Sequence, residues 1–425
     1  MRLFFLLLTA ASSASAAPLT LNDAASYAVR HSPALDSSQR QALIAEDERL
    51  NARSAFLPSV DFSSAHGLER TYPKAKVTEP WASNFSLNLA ETLYDNGESI
   101  TRHRIATLQE DIARENLLRD RDRLLYEVAA AFFQYSLARK SLEIQQEQHA
   151  VLKLQVELVK ESYRHGVKAR KDYLRFQTQL NRSDIDLLGA RTTLQKAELA
   201  LRRLLGVPLS STEPLEFLVD ESRPPPVRPA DTKLASHRDF RLAELQRRVS
   251  DLSSELVRRK LWPELGLKAT ATYGSSDYLF TGVPPHESDR LTWNALITLN
   301  YNILDWGVRR RNVEIAANRA AVRSNELEAE LLLLREEIEK LQVDIRKQQE
   351  GFALSDDLLK LERANLQLIT NEYREGKVQY LDYINSLQNF ADAKSTYYTS
   401  LYDLKRGILA RRYHEGTLYE ALQGK

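Results

Sequence analysis

One sequence unit occurs twice in this chain, and this duplication constrains the fold more than any local pattern does. Residues 163–173 and 373–383 share Tyr, Arg, Gly, Asp and Tyr in register, at an offset of 210 residues. An Asp-x-Gly triplet that begins at Asp95 returns at Asp305 with the same offset. The chain therefore consists of two copies of one unit, each about half of its length.

Each of the repeated segments lies between two long helical patterns and contains a glycine, Gly166 or Gly376. Glycine adopts positive φ without steric cost and commonly ends a helix, so we predict that the chain reverses at both positions. The first copy is predicted over residues 17–212, a proline-rich linker over 213–230, and the second copy over 231–425.

Each copy is predicted to contain a long helical hairpin, at about 98–206 and about 307–413. At roughly 1.5 Å per residue, the arm at 98–164 would be about 100 Å long, which no compact domain encloses. An apolar stripe along this arm requires a partner helix. The stripe comprises Leu117, Leu118, Leu124, Leu125, Val128, Phe132, Leu152, Leu154 and Leu158.

Four strands are predicted, at about 58–67 and 81–94 in the first copy and about 263–274 and 291–304 in the second. Apolar and polar residues alternate along each of them, which is typical of a strand with one apolar and one polar face. In the second strand the apolar positions are Trp81, Phe85, Leu87, Leu89 and Leu93, and the polar ones are Asn84, Ser86, Asn88 and Thr92.

The N-terminus combines Arg2, an apolar run at 3–8 and an Ala-x-Ala sequence at 14–16. This pattern predicts a secretory signal peptide over residues 1–16, with an N-terminal anchor as the alternative. The net charge of +1 implies no polyanionic partner, so no nucleic acid is expected. The absence of cysteine excludes disulfides, thiolate metal sites and a lipidated N-terminal cysteine.

Strands of this length, with apolar residues on one face, match tilted transmembrane β-strands that contact outer-membrane lipid. Exposed strand edges are not tolerated in lipid, so the sheet must close, and four strands are too few for a barrel. Several copies of the chain must therefore combine their strands. The alternative, a soluble sheet packed on helices, leaves both long helical arms without a core to pack against.

The sequence resembles the TolC family of outer-membrane efflux proteins from about residue 19 to 413. The resemblance is carried by the duplicated order of strands and helical hairpins, the two Asp-x-Gly triplets, the two glycine tips and residues 204–208. The pairs Leu57-Pro58 and Trp262-Pro263, which precede the strands in each copy, also belong to it. This chain differs from some members in ending soon after Tyr413.

The resemblance implies a mainly α fold with transmembrane β-strands, in which a homotrimer forms a 12-stranded β-barrel and a long periplasmic α-helical barrel. It further implies a passive exit duct for multidrug efflux or type I secretion in the outer membrane. The tips at Gly166 and Gly376 would open on docking to a periplasmic adaptor (a membrane fusion protein) and an inner-membrane transporter.

The resemblance also assigns roles to polar residues near the tips. Asp172 and Tyr373 match positions whose hydrogen bond helps to hold the tips closed. Asp382 matches an acidic residue of the periplasmic constriction that gives cation preference. Asn385 stands where the family member compared has a second acidic residue, so one ring of charge is expected.

The sequence contains no metal-ligand spacing among its eight histidines and no nucleotide or hydrolase motif, so no enzyme activity and no cofactor are expected. The basic run 309–311 favours a solvated or lipid-headgroup-facing patch over nucleic-acid binding. Two other functions stay open. A periplasmic adaptor also has long helical hairpins, and a purely structural coiled coil is possible but leaves the amphipathic strands unexplained.

Overall fold

The computed structural model of the chain describes residues 19–68, 81–167, 169–207, 217–218, 221–224, 237–276 and 290–422. The signal peptide predicted at 1–16 lies outside these residues. The helices are α1 (Leu21–His31), α2 (Pro33–Ser54), α3 (Glu98–Arg164), α4 (Arg170–Leu205), α5 (Arg238–Arg259), α6 (Val308–Arg374), α7 (Tyr380–His414) and α8 (Leu418–Leu422). The strands are β1 (Ser59–Leu68), β2 (Trp81–Tyr94), β3 (Glu264–Ser276) and β4 (Arg290–Asn300).

The order of elements from α2 to α4 is the same as the order from α5 to α7. A helix leads into two strands, then a helix of 67 residues, α3 or α6, and then a shorter helix, α4 or α7. The structure divides into two compact units, and each unit contains residues from both sequence copies. The helical unit comprises Met1–Ser37, Leu118–Arg238 and Leu333–Lys425, and the sheet unit comprises Ser38–Leu117 and Asp239–Leu332.

The core of the helical unit is built around the small residues of α1. Thr20 and Asp23 form a capping box at the start of this helix, with the Asp23 amide donating to Thr20 Oγ1 at 3.2 Å and the Thr20 amide donating to Asp23 Oδ2 at 3.0 Å. Alanine side chains let α1 approach its neighbours closely. The buried cluster contains Ala24, Ala25 and Ala28 with Leu125, Val128, Phe132, Leu201, Leu205, Tyr402 and Leu409.

Two parts of this core were not predicted from the sequence. The short helix α8 buries Leu418 and Leu422 in the cluster. Phe217, within the segment predicted as a linker, is buried between aromatic rings, and the Leu218 amide donates to the Leu19 carbonyl at 2.9 Å. The proline-rich segment is therefore attached to the core at this point.

The four strands of the sheet unit form one antiparallel sheet in the order β1-β2-β3-β4. Apolar side chains face each other across the strands, as in the row Phe62, Leu87, Ala271 and Trp293. The opposite face has polar rows, in which Ser86 Oγ and Thr272 Oγ1 are 3.1 Å apart. One face is thus mainly apolar and the other mainly polar across the four strands, with a polar His66–Ser83 pair on the apolar face.

The fourth strand ends at Asn300, whereas the alternating pattern predicted an end at 304. Asn300 pairs with Glu264, the first residue of β3, so the residues after Asn300 have no partner in that strand. Pro263 ends β3 there because proline has no amide hydrogen for the ladder. Within the described part of the chain, no helix is both long and apolar enough to cross a membrane.

Candidate functional site

The two helical tips have the same turn geometry. Val167 donates its amide to the carbonyl of Ser162 at 2.9 Å, and the equivalent bond of the second tip is also 2.9 Å long. The intervening glycines, Gly166 and Gly376, have φ of +72° and +74°. This is the Schellman arrangement, in which a left-handed residue satisfies the last carbonyls of a helix. A side chain at either glycine would meet open space, so only the backbone conformation requires glycine there.

A cleft of about 830 Å³ lies beside the second tip, within the helical unit. Both predicted lock residues, Asp172 and Tyr373, line it, together with Gly376. No hydrogen bond joins the Tyr373 phenol to the Asp172 carboxylate among the described contacts. The structure therefore brings the two residues to one cleft without bonding them directly.

The Tyr373 ring instead stacks on Tyr383, with centroids 5.0 Å apart and an interplanar angle of 11°. Burial raises the pKa of Tyr373, and the neighbouring Tyr383 raises it further. Burial likewise raises the pKa of Tyr383. Both phenols are therefore neutral over the physiological range, and the contact is an uncharged aromatic pair.

A second aromatic contact joins the two hairpins of the chain. Phe176 of α4 is buried, and its ring centroid lies 3.6 Å from that of Tyr380 at the start of α7. Val156 and Val159 of α3 complete this cluster. The sequence analysis did not single out Phe176 or Tyr380. An aromatic residue on a helix is more often an ordinary packing residue, so no sequence signal singled out this contact.

The predicted constriction residues, Asp382 and Asn385, are both exposed on α7, about one helical turn apart. Asp382 Oδ2 accepts a hydrogen bond from the Gln379 amide at 3.3 Å, which satisfies one of the free amides at the helix start. Asp382 thus has a capping role in the single chain and retains an exposed carboxylate.

The Asp-x-Gly triplets form matching turns between strand and long helix. Asp95 Oδ1 accepts from the Gly97 amide at 3.0 Å, and Asp305 Oδ1 accepts from the Gly307 amide at the same distance. Asp305 also bonds Arg309, whose hydrogen bonds lower the pKa of Asp305 below its ordinary value. These aspartates, which served as repeat landmarks, therefore cap α3 and α6.

The middle residue of each triplet has positive φ, 56° for Asn96 and 53° for Trp306. These are the only non-glycine residues of the described chain in that conformation. Asparagine tolerates it well, whereas it is unusual for a bulky residue such as tryptophan. Asn96 donates to the carbonyl of Arg259 at 3.2 Å, while the Trp306 side chain is 82% exposed.

The sequence profile of the outer membrane efflux protein family matches residues 24–207 and 230–407. The alkaline protease secretion protein AprF of Pseudomonas aeruginosa is 27% identical over 270 residues, which cover 59% of this chain and 56% of AprF. The matched part thus spans little more than half of the length of that relative.

Several solved structures with a similar fold are described as outer-membrane proteins or channels. The CmeC outer membrane channel of Campylobacter jejuni superposes with a TM-score of 0.82 at 16% identity, covering 94% of this chain and 86% of CmeC. The outer membrane protein VceC of Vibrio cholerae gives a TM-score of 0.77 at 16% identity, covering 93% of this chain and 96% of VceC. The mainly helical fold with a small sheet, predicted from the sequence, is confirmed by these likenesses.

A chain with two long helical arms per copy and one amphipathic sheet has the fold of the outer-membrane efflux channels. This protein belongs to the outer membrane efflux protein family, and its location is the outer membrane.

Proposed function

We propose that three copies of this chain form a passive outer-membrane duct for tripartite efflux or type I secretion. The observation that carries the proposal is the mainly apolar face across β1 to β4, opposite a mainly polar face. A strand in lipid must pair both of its edges, and β1 and β4 each have one unpaired edge within the described sheet. Three chains would supply a closed barrel of twelve strands.

In this assembly the apolar face would contact outer-membrane lipid and the polar face would line a water-filled pore. The long helices would continue the duct into the periplasm. CmeC is described as an outer membrane channel and AprF as a protease secretion protein, which supports export as the function without selecting the cargo.

The helical tips would act as the gate. Gly166 and Gly376 define exposed turns that a periplasmic adaptor could contact while an inner-membrane transporter supplies the cargo. Because the sequence contains no cysteine, a single Lys377→Cys change at the second tip gives one specific crosslinking position. We expect an adaptor to be captured from the periplasm of intact cells through this position.

Asp172 and Tyr373 would form a hydrogen bond when the tips close, worth roughly 1.5–3 kcal/mol if shielded from water. Both line one cleft already, which supports this role. The double variant Tyr373→Phe with Asp172→Ala should therefore make the cell leakier to large antibiotics. An unchanged susceptibility and an unchanged conductance would argue against the lock.

Three Asp382 carboxylates around the pore axis would attract cations, because the field of a charge ring is strong in a narrow pore. The exposure of Asp382 on α7 is compatible with this role.

The duct is tested by inserting the purified protein into planar lipid bilayers. We expect discrete conductance steps, larger in the tip double variant than in the unmodified channel. Folded protein that gives no conductance steps in either form would contradict the proposal.

A further inference from the structure

A group of exposed apolar side chains surrounds the end of the sheet at which β4 leads into α6. Trp262 stands just before β3, and the other members lie between the end of β4 and the start of α6. We call this group, with two neighbouring arginines, the rim patch. It comprises Trp262, Tyr301, Ile303, Leu304, Trp306, Arg310 and Arg311, and the side chains of Ile303 and Arg310 are 86% and 87% exposed.

The charges of the rim patch are largely available to a ligand. Among the described residues, the Arg310 side chain reaches only the Glu314 carboxylate, at 3.9 Å, and both side chains of this contact are exposed. The Arg311 side chain makes no hydrogen bond or ion pair with the described residues, and its guanidinium lies against the turn at Gly307. Arg309 differs, because it is bonded to Asp305 at 2.7 Å and to the carbonyl of Leu261.

The first copy has the same turn, with exposed Tyr94 and Ile100 beside it but without the tryptophan and the two arginines. The positions that match Trp306, Arg310 and Arg311 are Asn96, Ile100 and Thr101. Both turns have the same aspartate bonds and begin helices of the same length. The turn itself therefore requires neither the exposed tryptophan nor the arginines, and their presence in one copy needs another explanation.

We propose that the rim patch binds the phosphate headgroup of an anionic phospholipid at the membrane surface where α6 leaves the sheet. Aromatic rings concentrate at the boundary between acyl chains and headgroups, and arginine forms strong charge-assisted hydrogen bonds to phosphate. Trp306 and Tyr301 are the interfacial rings in this arrangement, and Arg310 and Arg311 contact the headgroup. The inference rests on the proposed function, because it requires the sheet to lie in a membrane.

The charge of the patch selects the lipid class. A zwitterionic headgroup carries its own ammonium group, which would meet two arginines. Glu314, a carboxylate beside them in the described part of the chain, already lies 3.9 Å from Arg310. An anionic headgroup has no such repulsion. Each arginine near an anionic surface favours it by about fivefold, so two exposed arginines give a clear local enrichment.

The test uses fluorescence quenching by lipids with brominated acyl chains. The full chain is reconstituted in vesicles of phosphatidylethanolamine and phosphatidylglycerol, with bromine on one lipid class at a time. One single-tryptophan chain retains Trp306. A second retains Trp293, which lies on the apolar face of β4 and is exposed there.

We expect both tryptophans to be quenched, and Trp306 to be quenched more strongly by brominated phosphatidylglycerol than by brominated phosphatidylethanolamine. Arg310→Gln with Arg311→Gln should remove this difference. Arg346→Gln with Lys347→Gln, which deletes two exposed charges elsewhere on α6, should leave it unchanged.

Two results would overturn the inference if Trp293 is quenched and so reports membrane insertion. One is equal quenching of Trp306 by the two lipids, and the other is a preference that survives the loss of Arg310 and Arg311. A Trp293 that neither lipid quenches would overturn the inference together with the proposed function.

Discussion

The ring of Tyr373, at the end of α6, stacks on the ring of Tyr383 in α7 with centroids 5.0 Å apart. The matching residues of the first copy, Tyr163 and Tyr173, stack in the same way at 6.0 Å with an interplanar angle of 5°. In each hairpin, a stacked tyrosine pair therefore joins the two helices on either side of the turn.

This pair predicts different effects for two substitutions of Tyr373. Tyr373→Phe keeps the ring on Tyr383, whereas Tyr373→Leu removes a contact worth about 1 kcal/mol. We expect the leucine variant to raise the open probability of the channel about fivefold more than the phenylalanine variant does. Single-channel recording measures both. Equal open probabilities would show that the stack does not hold the tip.

Two substitutions of Asp382 distinguish the effect of its charge from the effect of its capping hydrogen bond. Asp382→Asn removes the charge but keeps an oxygen that accepts from the Gln379 amide, whereas Asp382→Ala also loses the bond, at a cost of about 1 kcal/mol. We expect both variants to lose cation preference, and only the alanine variant to lower the unfolding temperature. The reversal potential under a salt gradient measures selectivity.

Asp172→Ala is the matched control, because it removes the equivalent aspartate of the first copy and should alter opening rather than selectivity. A reversal potential in Asp382→Asn equal to that of the unmodified channel would exclude Asp382 from the constriction.

A buried ion pair stabilises the helical unit. Asp122 is 1% exposed and lies 2.7 Å from Nε of Arg238 and 3.3 Å from Arg121, whose guanidinium covers the Tyr419 ring. Asp122→Asn should lower the free energy of unfolding by about 3 kcal/mol, because it leaves a partly buried arginine without its charge partner.

Chemical denaturation in detergent measures this loss. Glu127→Gln is the control, because the exposed pair of Glu127 with Arg123 is worth less than about 1 kcal/mol. Similar losses of unfolding free energy in the two variants would contradict the claim that the buried pair of Asp122 and Arg238 stabilises the helical unit.

The Asp305 turn predicts a dependence of stability on acid pH. Its hydrogen bonds to Arg309 lower the pKa of Asp305 below the ordinary 3.8. A lowered folded pKa contributes stability above the unfolded value, and this contribution is lost as the pH falls through the folded value. We therefore expect the unfolding temperature of the unmodified protein to fall more steeply below about pH 4 than that of Asp305→Asn.

Thermal unfolding followed by circular dichroism at several pH values checks this prediction. Glu314→Gln removes a neighbouring carboxylate but none of the hydrogen bonds of the turn, and it should behave as the unmodified protein does. Parallel pH curves for Asp305→Asn and the unmodified protein would refute the assignment.

Much of the fold followed from the sequence because its signals are long and repeated. The arm predicted at 98–164 is α3, and the tip glycines have the positive φ that helix reversal requires. The helix α8 and the anchored Phe217 were missed because each involves few residues and depends on distant packing partners. The end of β4 was placed too late because alternation continues past the last residue that β3 can pair.

The site was less predictable than the fold. The family resemblance pointed to Asp172 and Tyr373, which line one cleft. The stacking of Tyr373 on Tyr383, however, depends on side-chain orientations that no sequence spacing specifies. The contact of Phe176 with Tyr380 joins residues about half the chain apart, and only the packing of the two hairpins reveals it.

The central claim, that three chains complete one outer-membrane channel, is tested most directly by the mass of the purified protein in detergent. After subtraction of the bound detergent, we predict a mass of three mature chains, each derived from the 48.6 kDa sequence. A folded and stable particle with the mass of a single chain would contradict the account, because four strands cannot close a barrel in lipid.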